Sequence, residues 1–143
     1  MSNLELLLIF SPIVMTIALF FVIFKVNTKL KNLNPIETFK IDIQEPYKTF
    51  LLSWDKIIEW RLDKWKFNKM KIWDIIQVDD FEFEIWRKQK YSSFKEMLEK
   101  EWIQNVLPDK TDIKDWLKNV YYKFYTPEDE KKYWVVAIEL KKI

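Results

Sequence analysis

The sequence predicts an α+β domain preceded by one transmembrane helix, and three observations carry that prediction. Short runs that alternate apolar and polar residues, such as Phe81-Glu82-Phe83-Glu84-Ile85, read as strands. Capped amphipathic segments lie between them, as at Ser93-Phe94-Lys95-Glu96, and such interleaving makes a mixed domain. Ahead of them all, Leu6 to Phe24 is nineteen residues without a charge.

As a helix that first stretch would be about 28 Å long, close to the hydrocarbon thickness of a bilayer. Glu5 precedes it and Lys25, Lys29 and Lys31 follow it, so the positive-inside rule puts the rest of the chain on the cytoplasmic side. A cleaved signal peptide would need a basic start and a small-residue cleavage site, and neither is present. Residues 1–26 are therefore read as an N-terminal anchor in the membrane and 27–35, polar, basic and closed by Asn34-Pro35, as a linker. The domain is expected over 36–143.

Within that domain Phe39 to Ile43 alternates as a strand, and Glu45-Pro46 opens a short helix through Leu52. Ile57 to Leu62 reads as a strand that places Glu59 and Arg61 on one face and Ile58 and Trp60 on the other. Lys71 to Val78 is a turn feeding a strand, with Asp79-Asp80 as the hairpin tip before Phe81. Ser93 caps a helix whose buried stripe is Phe94, Met97, Leu98 and Trp102, stopped by Val106-Leu107-Pro108. Thr111 and Asp112 cap a segment through Trp116, Leu117, Val120, Tyr121 and Phe124, and Thr126-Pro127 starts another helix. Tyr133 to Leu140, rich in Val and Ile, closes the chain as a strand.

Composition narrows the chemistry. The chain has 143 residues, 49% of them hydrophobic, enough for one domain with a buried core. It has no cysteine and no histidine, which excludes disulfides, thiolate metal sites and an imidazole base. Neither a metal nor a cofactor is expected, and any catalysis falls to Lys, carboxylates, Ser/Thr or Tyr. Acidic and basic residues cancel between 36 and 143, so a nucleic-acid role would rest on a local patch.

That patch is Trp54-Asp55-Lys56-Ile57-Ile58-Glu59-Trp60-Arg61. Taken alone, its charges describe a surface strand with weakly stabilising ion pairs. The pattern resembles the GxKxxExR signature of the ASCH domain, with Lys56, Glu59 and Arg61 matching and Trp54 standing where the family has glycine. Lys71-Ile72-Trp73-Asp74, Tyr91-Ser92-Ser93-Phe94, Val106-Leu107-Pro108 and Tyr121-Tyr122-Lys123-Phe124-Tyr125 follow in the order the family has its own motifs. The resemblance runs from Glu45 to Ile143.

The resemblance implies a PUA-like, partly closed β-barrel with flanking helices, and a cleft lined by Lys56, Glu59 and Arg61. It implies RNA or a modified nucleotide as partner, with Tyr122 and Tyr125 as faces for base stacking. On an amphipathic helix such tyrosines are more often core or rim than stacking platform. The alternative is an ASCH-type hydrolase, an acylated-cytidine amidohydrolase or a ribonuclease, with Lys56 as base or nucleophile beside Glu59. The amidohydrolases carry threonine where this chain has Glu59. A third reading is an interaction domain with no ligand.

One feature of composition stands apart: there are eight tryptophans and no glycine, where average usage predicts roughly ten glycines. The tryptophans fall where glycine is expected in such a domain. UGA is read as tryptophan in some genetic codes and as glycine in at least one bacterial code, so glycine is a candidate for the native residue. Several of Trp54, Trp60, Trp65, Trp73, Trp102, Trp116 and Trp134 are then expected at turns, helix ends or close backbone contacts, with exposed or strained indoles.

Overall fold

The computed structural model describes the backbone of residues 3–33, 35–119, 121 and 124–143. The chain divides into two compact units, Met1–Ile36 and Glu37–Ile143. The first is built on helix α1 (Asn3–Leu33), which runs on into the segment expected as a linker, as far as Leu33. No proline interrupts the chain between Ile13 and Leu33. Along α1 the apolar side chains from Val14 to Phe24 are exposed. Among the described residues no helix is long and apolar enough to cross a membrane. The expected span starts at Leu6, and the side chains of 6–13 lie outside the described residues.

The second unit is mixed α+β: a curled five-stranded half-barrel with flanking helices. Its elements are β1 (Thr38–Lys40), α2 (Tyr47–Ser53), β2 (Ile58–Leu62), α3 (Lys66–Lys69), β3 (Ile75–Val78), β4 (Phe81–Tyr91), α4 (Phe94–Glu101), α5 (Ile103–Val106), α6 (Ile113–Asn119), α7 (Pro127–Tyr133) and β5 (Val135–Lys142). The strand order is β1-β3-β4-β5-β2, with β1 parallel to β3 and the other neighbours antiparallel. β2 pairs with the C-terminal strand β5.

β5 is the spine of the core. Val135 and Ala137 point into one apolar cluster with Ile58, Trp60, Leu62, Phe94, Met97 and Trp116. Val136, Ile138 and Leu140 point into another with Ile41, Leu51, Ile76, Phe83 and Ile85. Burial on both faces explains why the strand is apolar at every position from Val135 to Ile138. Helices α4 to α6 pack on the first face, and α2 closes the second.

Local chemistry sets the boundaries. The Ser93 hydroxyl accepts from Glu96 N at 3.1 Å, but the Glu96 carboxylate reaches Ser92 N and Oγ rather than the cap residue. Thr126 and Asp129 complete a reciprocal capping box on α7. Asp74, almost fully buried, accepts from Glu37 N and Lys71 N, tying the start of β1 to the turn before β3.

Three expectations are corrected. β1 is three residues long, not five: Ile41 N still donates to Gln77 O, after which the chain leaves the ladder to form a loop. Trp102 does not continue the buried stripe of α4 but ends the helix at φ 63° with its indole 74% exposed. Tyr133 belongs to α7, and the strand begins only after Trp134.

Among the described residues six non-glycine positions have φ in the left-handed region. Asp79 at the hairpin tip is one. The others are Trp54, Trp65, Trp73, Trp102 and Trp134, at the ends of α2, α4 and α7, ahead of α3 and in the turn before β3. Trp60 and Trp116 depart from the expected exposure, since both are buried in the core.

Candidate functional site

β2 forms one edge of the sheet, and its register decides what faces off that edge. Leu140 N donates to Ile57 O at 2.9 Å and Asp63 N donates to Trp134 O at 3.0 Å. By alternation the backbone groups of Ile58, Trp60 and Leu62 are therefore turned away from β5. Two cations of the motif cover two of those carbonyls: Lys56 Nζ donates to Ile58 O, and an Arg61 terminal nitrogen donates to Trp60 O at 2.9 Å. An exposed row of strand acceptors invites pairing with another chain, and these side chains blunt it.

Glu59 sits between the two cations. Its carboxylate lies 3.3 Å from Lys56 Nζ on one side and pairs with Arg61 on the other. Lys56 is fully buried and Glu59 nearly so. The Lys56 ammonium also donates to Val106 O at 3.0 Å, at the end of α5, so each of its three N–H directions meets a protein acceptor. Burial pushes the Lys56 ammonium below its usual pKa, Glu59 opposes that shift and Arg61 adds to it.

Arg61 is the outward member. Its side chain is 17% exposed, its second terminal nitrogen donates to Asp42 O at 2.9 Å, and its guanidinium lies 5.5 Å from the Phe67 ring centre. The cleft it borders has a volume of about 250 Å³. Lys56, Glu59, Trp60 and Arg61 form one wall; Asp42, Ile43 and Gln44 in the loop after β1, with Tyr47, Phe124 and Tyr125, form the others. Drug-sized ligand pockets run to roughly 300–1,000 Å³, so this volume suits a single ring system better than an extended chain.

The structure thus brings Lys56, Glu59, Arg61 and Tyr125 to one concavity, while Tyr122 lies outside the described residues. Tyr125 is half-buried, its ring stacked on Phe94 at 6.0 Å with 14° between planes, so part of its surface is already covered. Burial pushes the Tyr125 hydroxyl up, with Arg61 pulling the other way. Burial likewise raises Tyr47. A second cleft of about 260 Å³ shares Arg61, Phe124 and Tyr125 and adds Lys64, Trp65, Phe67 and Asp129. Asp42, Gln44 and Tyr47 carried no signal in the sequence as wall residues, because the early end of β1 creates the loop that holds two of them. Among the described residues no group of three or more acidic, His or Cys side chains is placed to hold a metal ion.

No family model and no curated protein matches the chain. Solved structures do match, among them the following two. The crystal structure of hypothetical protein PH0355 is 42% identical, with a TM-score of 0.70, covering 74% of this chain and 99% of that one. The solution structure of protein PF0455 from Pyrococcus furiosus is 36% identical, with a TM-score of 0.64, covering 74% and 97%. Their curled sheets are compatible with a PUA-like fold. Identity at this level over nearly the whole of both proteins means that the chain belongs to the same family as PH0355 and PF0455.

Proposed function

We propose that residues 36–143 form an ASCH-like module of the PUA-like class that binds RNA or a modified nucleotide, held at the cytoplasmic face of a membrane by the N-terminal helix. The observation that carries the reading is the buried Lys56–Glu59–Arg61 group, which leaves a guanidinium at the lip of a small, aromatic-sided cleft. A guanidinium offers a planar fork to phosphate or a base edge, and Tyr47, Phe124 and Tyr125 offer ring surface. The role of each charge then differs: Arg61 meets the ligand, while Lys56 and Glu59 hold it in place.

The test is binding of a nucleoside and of short single-stranded RNA by titration calorimetry. Arg61→Ala is expected to weaken binding by roughly 10–100-fold, the range of about 1–3 kcal/mol for such a contact, while remote Lys142→Ala changes it little. Equal losses for both substitutions would mean that attraction is diffuse charge only. Lys56→Ala is the poorer probe, since it leaves Glu59 buried without one of its cations.

The hydrolase reading draws on one observation, the desolvated Lys56 with its lowered pKa. Against it, the Lys56 nitrogen is engaged by Ile58 O, Val106 O and Glu59, and a base or nucleophile must reach its substrate. Incubation with acylated cytidine or single-stranded RNA is expected to show no turnover that depends on Lys56.

A further inference from the structure

We infer that the native residue at the tryptophan positions is glycine, the corresponding codon being read as glycine by the protein's own translation machinery. The chain has no glycine at all, yet five of the six left-handed residues described are tryptophans. Only a few per cent of non-glycine residues adopt positive φ, and for a bulky side chain it is an outlier. Five of eight tryptophans doing so is far outside that range.

The individual geometries are those that glycine serves. Trp54 ends α2 at φ 72°, ψ 13°, with its N–H on Leu51 O, which is the left-handed helix cap. Trp134 has φ 63° and ψ 168°, a region open essentially to glycine alone. Trp65 has φ 52° and ψ −128°, the mirror image of extended backbone. Trp65 and Trp102 do not repay the strain by packing, since both are about three-quarters exposed.

Of the remaining three, one fits the same assignment by another route. Trp86 lies at the register shift between Ile85 and Arg87, a β-bulge, with its side chain in solvent. Trp60 on β2 and Trp116 on α6 meet edge to face with ring centres 5.2 Å apart and are buried in the core, so the assignment at these two positions rests on the absence of glycine from the chain and not on their packing.

Position 60 also borders the cleft, and here the inference rests on the nucleotide-binding reading and deepens it. With glycine there, that part of the wall is bare backbone on the sheet edge, with its N–H turned outward toward the edge of a planar ligand. The ligand class this favours is a nucleobase read through hydrogen bonds to the main chain.

Mass spectrometry of peptides from the protein as made in its own cells is expected to give glycine masses at positions 54, 73 and 134; tryptophan masses there overturn the assignment. On recombinant full-length chain, Trp54→Gly and Trp134→Gly should each raise the melting temperature, and a fall at both overturns it independently. Trp60→Gly in the chain already carrying glycine elsewhere should tighten nucleoside binding about tenfold, one hydrogen bond's worth. Equal affinity with either residue at 60 overturns the main-chain contact. Absence of nucleoside binding by both chains instead overturns the nucleotide reading, leaving the masses to decide the glycine assignment alone.

Discussion

A buried lysine beside a buried glutamate is stable only as a set. Lys56 and Glu59 are enclosed to within 1% of full burial, and Arg61 supplies the second cation. Removing one partner of such a group leaves an uncompensated charge in low dielectric, which costs about 3–5 kcal/mol, whereas removing charges together costs less. Lys56→Met alone is therefore expected to lower stability by about that amount, read as the free energy of chemical unfolding. Adding Glu59→Gln should recover part of the loss, so that the double substitution falls short of the sum of the singles. The sequence placed Glu59 and Arg61 on one face of a strand with Lys56 just ahead of it, and period-two alternation was enough for Glu59 and Arg61. It held no trace of the bond from Lys56 to Val106 O, because that contact joins residues fifty apart in the chain. The lysine's structural role was hidden for that reason, while its membership of the site was not.

At the scale of elements, what was legible was what local chemistry dictates. The Asp79-Asp80 hairpin, the Ser93 and Thr126 caps and the proline start of α7 all rest on residues within four positions of each other. The end of α4 was misplaced because apolar spacing carried Trp102 into the buried stripe, whereas its left-handed backbone breaks the helix one residue earlier. At that end, Glu101 clamps α4 to the sheet: its carboxylate receives Arg87 and the Tyr91 hydroxyl at 2.5–2.7 Å, and Arg87 also holds Glu139 of β5 at 2.7 Å. Burial alone would raise the Glu101 pKa, but the hydrogen bonds from Arg87 and Tyr91 hold it below its ordinary 4.5. Burial, with Glu101 adding to it, pushes the Tyr91 hydroxyl up to about 12. A carboxylate with a depressed folded-state pKa contributes stability that is complete above its unfolded value and is lost as pH falls through the folded one. Glu101→Gln is thus expected to lower the melting temperature at pH 7, with the gap from the parent protein narrowing as the pH is taken below about 4. A gap that stays constant down to pH 3 would show that the carboxylate's charge is not what fastens the helix.

Two units of opposite character share one chain. Residues 37–143 bury their apolar residues on both faces of a curled sheet. In α1 the side chains at Val14, Met15, Ile17, Leu19, Phe20, Phe21, Val22, Ile23 and Phe24 are each more than half exposed. A contiguous apolar surface of that length is rare on a soluble monomer, and a bilayer is the environment that would remove it from water. The reading makes a quantitative demand. A lysine near the middle of a spanning helix costs about 2.5–3.5 kcal/mol on insertion scales, so two of them offset most of what the apolar residues contribute. Full-length protein should therefore sediment with membranes and resist extraction at high salt, because salt weakens only charge attraction. The paired substitution Ile17→Lys and Phe20→Lys should move it to the soluble fraction without altering the melting of the second unit, whose core lies in other residues. Parent protein that stays in the supernatant without detergent would end the anchor reading. Sedimentation of the doubly substituted chain would show that the association lies elsewhere, such as in Lys25 and Lys29 acting on anionic headgroups.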